Sequence, residues 1–158
     1  MKYLVGARGS KLSMAQTNWV ISELKKVNPD SEYEIKPITT KGDTDTRPLF
    51  TIEQKGIFEK EIDKAVAERE VDFAVHSLKD VPSQLADNLI IASIPKREKV
   101  NDVFISSDGS SLDKIKPGSV IGTSSLRRAV QVTRQRSDVT VKPIRGNIET
   151  RIKKISGE

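Results

Sequence analysis

Residues 3–39, YLVGARGSKLSMAQTNWVISELKKVNPDSEYEIKPIT, decide the fold class. Tyr3-Leu4-Val5-Gly6-Ala7 reads as a short buried strand. Arg8-Gly9-Ser10 breaks it, and a helix follows from about Leu12 to Lys26. That helix places Leu12, Ala15, Trp19, Val20 and Leu24 near one face, so Trp19 is expected in the core. Asn28-Pro29-Asp30 stops it, and Glu32 to Thr39 alternates like a second strand. A strand, a helix and a strand in that order form a parallel βαβ unit.

The same alternation continues outward. Lys41 to Gln54 is polar, carries Gly, Pro and Asp, and reads as a long loop. Phe58 to Glu70 is a second amphipathic helix, with Ile62, Ala65 and Val66 inward. Strands are expected at Val71 to His76, Leu89 to Ile94, Val103 to Ile105, Ser119 to Gly122 and Val139 to Ile144. A helix runs from about Leu126 to Arg136, and another begins near Ile148. Pro95-Lys96-Arg97-Glu98-Lys99 marks the boundary between a first domain, 1–95, and a second, 96–158.

Composition agrees with an α/β protein. Ile and Val outnumber Leu by 30 to 9, which favours buried strands over a helical bundle. There is no Cys, which excludes disulfides, Cys-ligated metals and thiol chemistry for these residues. A single His argues against a zinc hydrolase or a Ser-His-Asp triad but leaves open carboxylate ligands for Mg²⁺. The carboxylate spacing of Gly42-Asp43-Thr44-Asp45 fits no complete calcium loop, and no metal site is expected. No apolar run reaches the roughly 18 residues of a membrane span, and Met1 to Val5 leads straight into polar sequence. The expectation is a soluble, cytoplasmic chain with no membrane partner.

Charge is unevenly placed. Residues 1–95 carry 13 Lys and Arg against 15 Asp and Glu, whereas residues 96–158 carry 14 against 7. A basic second half suits an anionic partner, and a solvated basic face explains it equally well. Only seven aromatic residues occur and none interleaves with the Arg cluster, which speaks against a nucleic-acid module.

The segments after the strands are more informative. Arg8-Gly9-Ser10, Ser77-Leu78-Lys79-Asp80, Thr123-Ser124-Ser125-Leu126-Arg127-Arg128 and Arg145-Gly146-Asn147 each join a cation to small polar residues. In an open parallel sheet these loops gather at the strands' carboxyl ends, where ligands bind. Ser, Thr and Gly cap helices and leave backbone N–H groups aimed at an anion, and Arg adds a planar fork for carboxylates. Asp80 is a carboxylate among these cations, expected to stay ionised. It fits a ligand of mixed character, with acidic arms and a cationic or N–H-bearing centre; an ion pair with Lys79 is the plainer reading. His76, in an apolar run, reads as a hydrogen-bonded core residue.

Five segments together resemble the porphobilinogen deaminase (hydroxymethylbilane synthase) family. They are Ala7-Arg8-Gly9-Ser10 to Gln16, Lys55-Gly56-Ile57-Phe58, Val75-His76-Ser77-Leu78-Lys79-Asp80-Val81-Pro82, Gly122-Thr123-Ser124-Ser125-Leu126-Arg127-Arg128 and Ile144-Arg145-Gly146-Asn147-Ile148-Glu149-Thr150-Arg151. They are co-linear and span essentially the whole chain. The resemblance implies a transferase that condenses four porphobilinogen molecules head to tail, releasing ammonia, to give hydroxymethylbilane in tetrapyrrole and heme biosynthesis. Asp80 would be the catalytic carboxylate, stabilising a cationic azafulvene and binding pyrrole N–H groups. Arg8, Ser10, Arg145 and Arg151 would hold carboxylates of the substrate or growing oligopyrrole, with Gln16 and Phe58 close by. Lys79, Thr123, Ser124, Ser125, Arg127, Arg128 and Gly146 would hold the acidic side chains of a dipyrromethane cofactor.

By the same resemblance, the fold is two α/β domains like those of periplasmic binding proteins with a cleft between them. Family chains are about twice as long, so the second domain is expected to be incomplete and a small third domain absent. The Cys that anchors the cofactor is also absent here. The chain alone is therefore expected to be inactive. The alternative is a non-catalytic fragment that binds pyrrole carboxylates, or pairs with a missing C-terminal half or a second copy. A solute-binding protein of shared fold is disfavoured by Asp80 among cations.

Overall fold

The computed structural model describes residues 1–44 and 59–156, and the chain divides into two compact units, 1–96 and 97–158. In the first unit, β1 (Lys2–Arg8) is followed by α1 (Lys11–Val27) and β2 (Glu32–Ile38). A short helical turn, α2 (Lys41–Thr44), then α3 (Lys60–Ala67) and β3 (Phe73–Ala74) complete its regular elements, with a 3-10 turn at Leu78–Asp80. The strands form one parallel sheet in the order β2-β1-β3. The opening βαβ unit is thus as the sequence predicts. The α2 turn occupies the start of the segment expected to be loop.

Each of these elements has a local cause. Ser10 caps α1, its Oγ accepting from the Ser13 N–H at 3.3 Å, and Lys25 and Lys26 face the carbonyl end of the dipole. Helix α3 ends where Arg69 adopts φ +60°, a left-handed conformation in which Glu70 N–H donates back to Ala65 O at 2.8 Å. The core is built on the central strand. Val5 and Ala7 are fully buried, with Ile21 of α1, Ile62 and Ala65 of α3, and Val71. Gly6 packs closely here: a Cβ would lie 3.1 Å from Val71 Cγ2, so that side chain would have to shift by a few tenths of an ångström. At the sheet's outer end Tyr3 stacks on Tyr33 at 5.5 Å, and Tyr33 meets Phe73 edge-on at 6.5 Å.

The buried stripe of α1 differs from the expected one. Thr17 and Ile21 are buried, whereas Trp19 is 41% exposed and Leu12 and Ala15 are also exposed. Two residues along a helix rotate a side chain by about 200°, so a helix seated on Thr17 and Ile21 must turn Trp19 outward. Two expected strands are also absent. Residues 89–94 and 103–105 have no regular structure, with Ile90 84% and Val103 81% exposed. Among the described residues neither segment has a partner strand, and without a ladder, β-branched sequence alone does not make a strand.

In the second unit, β4 (Val120–Gly122) pairs in parallel with β5 (Thr140–Lys142), and α4 (Leu126–Gln135) and α5 (Ile148–Lys153) follow them. Ile121 is buried between elements, and α4 packs on β5. Arg136 closes α4 and stitches the unit together: its guanidinium donates to Leu112 O at 2.6 Å, Ile115 O at 2.9 Å and the Asp138 carboxylate at 2.7 Å. Mixed α/β structure with parallel sheets is therefore the fold class. Among the described residues no helix is long and apolar enough to cross a membrane.

Candidate functional site

In the first unit, Arg8, Ser10, Gln16, Lys79 and Asp80 all lie on or beside the segments that follow β1 and β3. Arg8 N–H donates to Ser13 Oγ at 3.2 Å, which fixes the turn from β1 into α1. Ser77 Oγ donates to Gln16 Oε1 at 3.0 Å and so ties α1 to the segment after β3. From there the chain enters the 3-10 turn, closed by Asp80 N–H to Ser77 O at 2.9 Å. Asp80 is held partly exposed, its carboxylate 3.3 Å from the well-exposed Lys79 Nζ. The Lys79 ion pair is thus present, and it leaves Asp80 accessible at the strand's carboxyl end. Phe58 and the Lys55-Gly56-Ile57-Phe58 segment lie outside the described residues.

His76, expected to be hydrogen-bonded in the core, is instead half-buried and faces a carboxylate: its Nε2 is 3.4 Å from Asp63 Oδ1 on α3, yet makes no hydrogen bond. The pairing joins α3 to the segment leading to Asp80. Nothing in the local sequence signals it, because the partners stand 13 positions apart.

In the second unit the hydroxyls after β4 are mostly engaged by the backbone. Ser124 Oγ donates to Ile144 O at 2.6 Å and accepts from Ile144 N–H at 3.1 Å. A hydroxyl has one proton, so this bond commits the Ser124 donor to bracing the segment after β4 against the one after β5. Thr123 Oγ1 accepts from Ser125 N–H at 3.2 Å, and Ser125 Oγ accepts from Arg128 N–H at 3.4 Å as the α4 cap. Those two bonds leave the hydroxyl protons of Thr123 and Ser125 unspent. Gly146 sits at φ +119°, and Asn147 Oδ1 caps α5 through Thr150 N–H at 3.0 Å. Arg151 Nε donates back to Gly146 O at 2.7 Å, and Lys154 Nζ reaches Arg145 O at 3.4 Å.

Arg127 and Arg128 share one partner that sequence reading missed. Asp102 Oδ2 is 2.9 Å from Arg127 Nη1, and its Oδ1 is 2.7 Å from Arg128 Nη2. Both guanidinium bonds pull the Asp102 pKa down to about 2. The two Arg side chains remain 60% and 48% exposed.

The family model described as porphobilinogen deaminase, dipyromethane cofactor binding domain, matches residues 3–158. The chain belongs to the porphobilinogen deaminase family. It is 83% identical over 158 residues to a probable porphobilinogen deaminase of Nitrosopumilus maritimus, covering 100% of this chain and 51% of that protein. Porphobilinogen deaminase of Listeria monocytogenes is 51% identical over 158 residues, 99% of this chain and 51% of its own length. That of Bacillus velezensis is 50% identical over 155 residues, 98% of this chain and 50% of its own. The chain thus spans about half the length of the curated relatives it matches.

The residues present fit the dipyrromethane group of this family's cofactor-binding domain. Its acidic arms need cationic donors, and Arg127 and Arg128 offer two accessible guanidiniums at the start of α4, beside the unspent Thr123 and Ser125 protons. With no Cys among its 158 residues, the chain has no thiol of its own to bond that group covalently.

Proposed function

We propose that this chain is the cofactor- and substrate-holding part of a porphobilinogen deaminase, a transferase that joins four porphobilinogen units head to tail with loss of ammonia to give hydroxymethylbilane. The observation that carries this reading is Asp80: a carboxylate held at the carboxyl end of β3, its turn tied to α1 through Ser77 and Gln16. Porphobilinogen brings acetate and propionate arms, an aminomethyl group and a pyrrole N–H. Asp80 accepts from the pyrrole N–H and stabilises the positive charge that develops as ammonia leaves. Proton transfer at the departing amine is within the reach of the same carboxylate. Arg8, Ser10, Arg145 and Arg151 hold the carboxylate arms of substrate and oligopyrrole, with Gln16 and Phe58 nearby. Lys79, Thr123, Ser125, Arg127, Arg128 and the Gly146 backbone hold the arms of the dipyrromethane group, and Ser124 braces the two segments that carry them. When bound, that group supplies the pyrrole chain onto which substrate units are added.

We also infer that the two units are parts, 1–95 and 96–158, of two domains of the periplasmic-binding-protein type. A second reading, binding of pyrrole carboxylates without turnover, is supported by the exposed apolar side chains of 89–94 and 103–105, with Ile90 84% and Val103 81% exposed. Under it, the apolar residues 89–94 and 103–105 would be covered by a partner chain or a second copy. Both readings are separated by one experiment. The chain alone, given porphobilinogen, is expected to release little or no ammonia. Fused to the remaining half of the Nitrosopumilus maritimus relative, it is expected to release ammonia steadily, and Asp80→Ala is expected to abolish this in a folded protein. A fusion that stays inactive favours the binding reading, and a near-normal Asp80→Ala rate removes Asp80 from the chemistry.

A further inference from the structure

Arg127 and Arg128 are consecutive in α4, where neighbouring side chains diverge by about 100° and do not face each other. Two like charges left to themselves would also move apart. Here both guanidiniums converge on Asp102, which stands 25 residues earlier and belongs to no regular element. Arg127 meets it with two nitrogens, Nη1 at 2.9 Å and Nη2 at 3.3 Å, and Arg128 with Nη2 at 2.7 Å. A guanidinium has five N–H donors, so one carboxylate leaves most of them to a ligand. The three side chains together keep a net charge of +1.

We infer that Asp102 is a positioning residue, which gathers Arg127 and Arg128 into a single fork for a carboxylate arm of a pyrrole ligand. This rests on the deaminase reading of the Arg pair. Asp102 acts through the two arginines and does not touch the ligand. Convergence lowers the side-chain ordering that binding would otherwise require, and it sets two planar donors at a fixed separation. The opposite role has an opposite sign. If Asp102 were only a competing anion, removing its charge would tighten ligand binding.

The test is calorimetric titration of a synthetic dipyrromethane bearing acetate and propionate arms into the 158-residue chain and its variants at low salt. Arg127→Ala and Arg128→Ala are expected to weaken binding. Asp102→Asn, equal in size but uncharged, is expected to weaken it about tenfold, and Asp102→Glu to recover part of that loss. In NMR spectra, the Nε–Hε signals of Arg127 and Arg128 are expected to be ordered in the wild type, mobile in Asp102→Asn, and partly ordered again in Asp102→Glu. Equal or tighter binding by Asp102→Asn, with both Arg variants weakened, overturns the positioning role and leaves the deaminase reading standing. Binding that is absent in the wild type, or untouched by the Arg variants, removes the deaminase reading of this pair and the role of Asp102 with it.

Discussion

Gly146→Ala tests how tightly the segment after β5 is built. The residue lies at φ +119°, a conformation that costs an L side chain about 1–3 kcal/mol. The added Cβ would stand 2.6 Å from Thr150 Cγ2 and 2.7 Å from Thr150 Cβ, where carbon contacts settle at about 3.5–4.0 Å. Thr150 must therefore move by about 1 Å. It is held by two bonds to Asn147 Oδ1, from its N–H at 3.0 Å and from its Oγ1 at 2.9 Å. Moving it gives up the α5 cap, worth about 1 kcal/mol. The expected loss is about 2–4 kcal/mol, read from urea unfolding followed by far-UV circular dichroism. Thr150→Gly removes the atoms the new methyl would strike, at a helix-propensity cost of about 1 kcal/mol. The double variant should then be no less stable than Gly146→Ala alone, so the two effects fall short of additivity by at least about 1 kcal/mol. Faster amide exchange at Thr150 and Arg151 would place the damage in α5. A Gly146→Ala chain within about 0.5 kcal/mol of the wild type, or strictly additive effects, would refute the argument.

Three further outcomes are expected. Ile62→Ala empties a site that is 1% exposed in the first unit's core and should cost about 2–5 kcal/mol, measured by the same urea unfolding. The folded pKa of Asp102 lies below its ordinary value, so its contribution to stability is present above about pH 4 and is lost as pH falls through about 2; carbon NMR titration of its carboxyl group should give that midpoint, and Arg128→Ala should raise it. Arg136→Lys keeps the charge but cannot reach Leu112 O, Ile115 O and Asp138 together, and amide exchange at Gly118 and Ser119 should quicken.

Local signals carried the reading of the chain furthest. The first βαβ unit was legible because strand alternation, the Ser10 cap and the Asn28-Pro29 stop are all short-range features. The face of α1 was not. Its buried stripe includes Thr17, a polar residue with no exposed surface, and hydrophobicity alone pointed to Trp19 instead. Residues 89–94 and 103–105 have the composition of strands, yet pairing is a property of two segments and composition reports only one. The candidate site divides the same way. Loops after strands could be found by their Gly, Ser and Arg content, and the structure brings Gln16 to Ser77 as part of one cluster. Asp102 could not be found, because nothing periodic or local links it to residues 25 and 26 positions later.

The strand order β2-β1-β3 has a consequence for synthesis. The middle strand leaves the ribosome well before one of its two neighbours, since the 64 residues from 9 to 72 separate β1 from β3. At about 5–20 residues per second, that interval lasts roughly 3–13 s. Once residues 32–38 have followed as β2, β1 has that strand on one edge and an open row of backbone donors and acceptors on the other until β3 is made. A nascent chain stalled before Phe73 would present that edge indefinitely, and chaperones that bind extended segments would find it there.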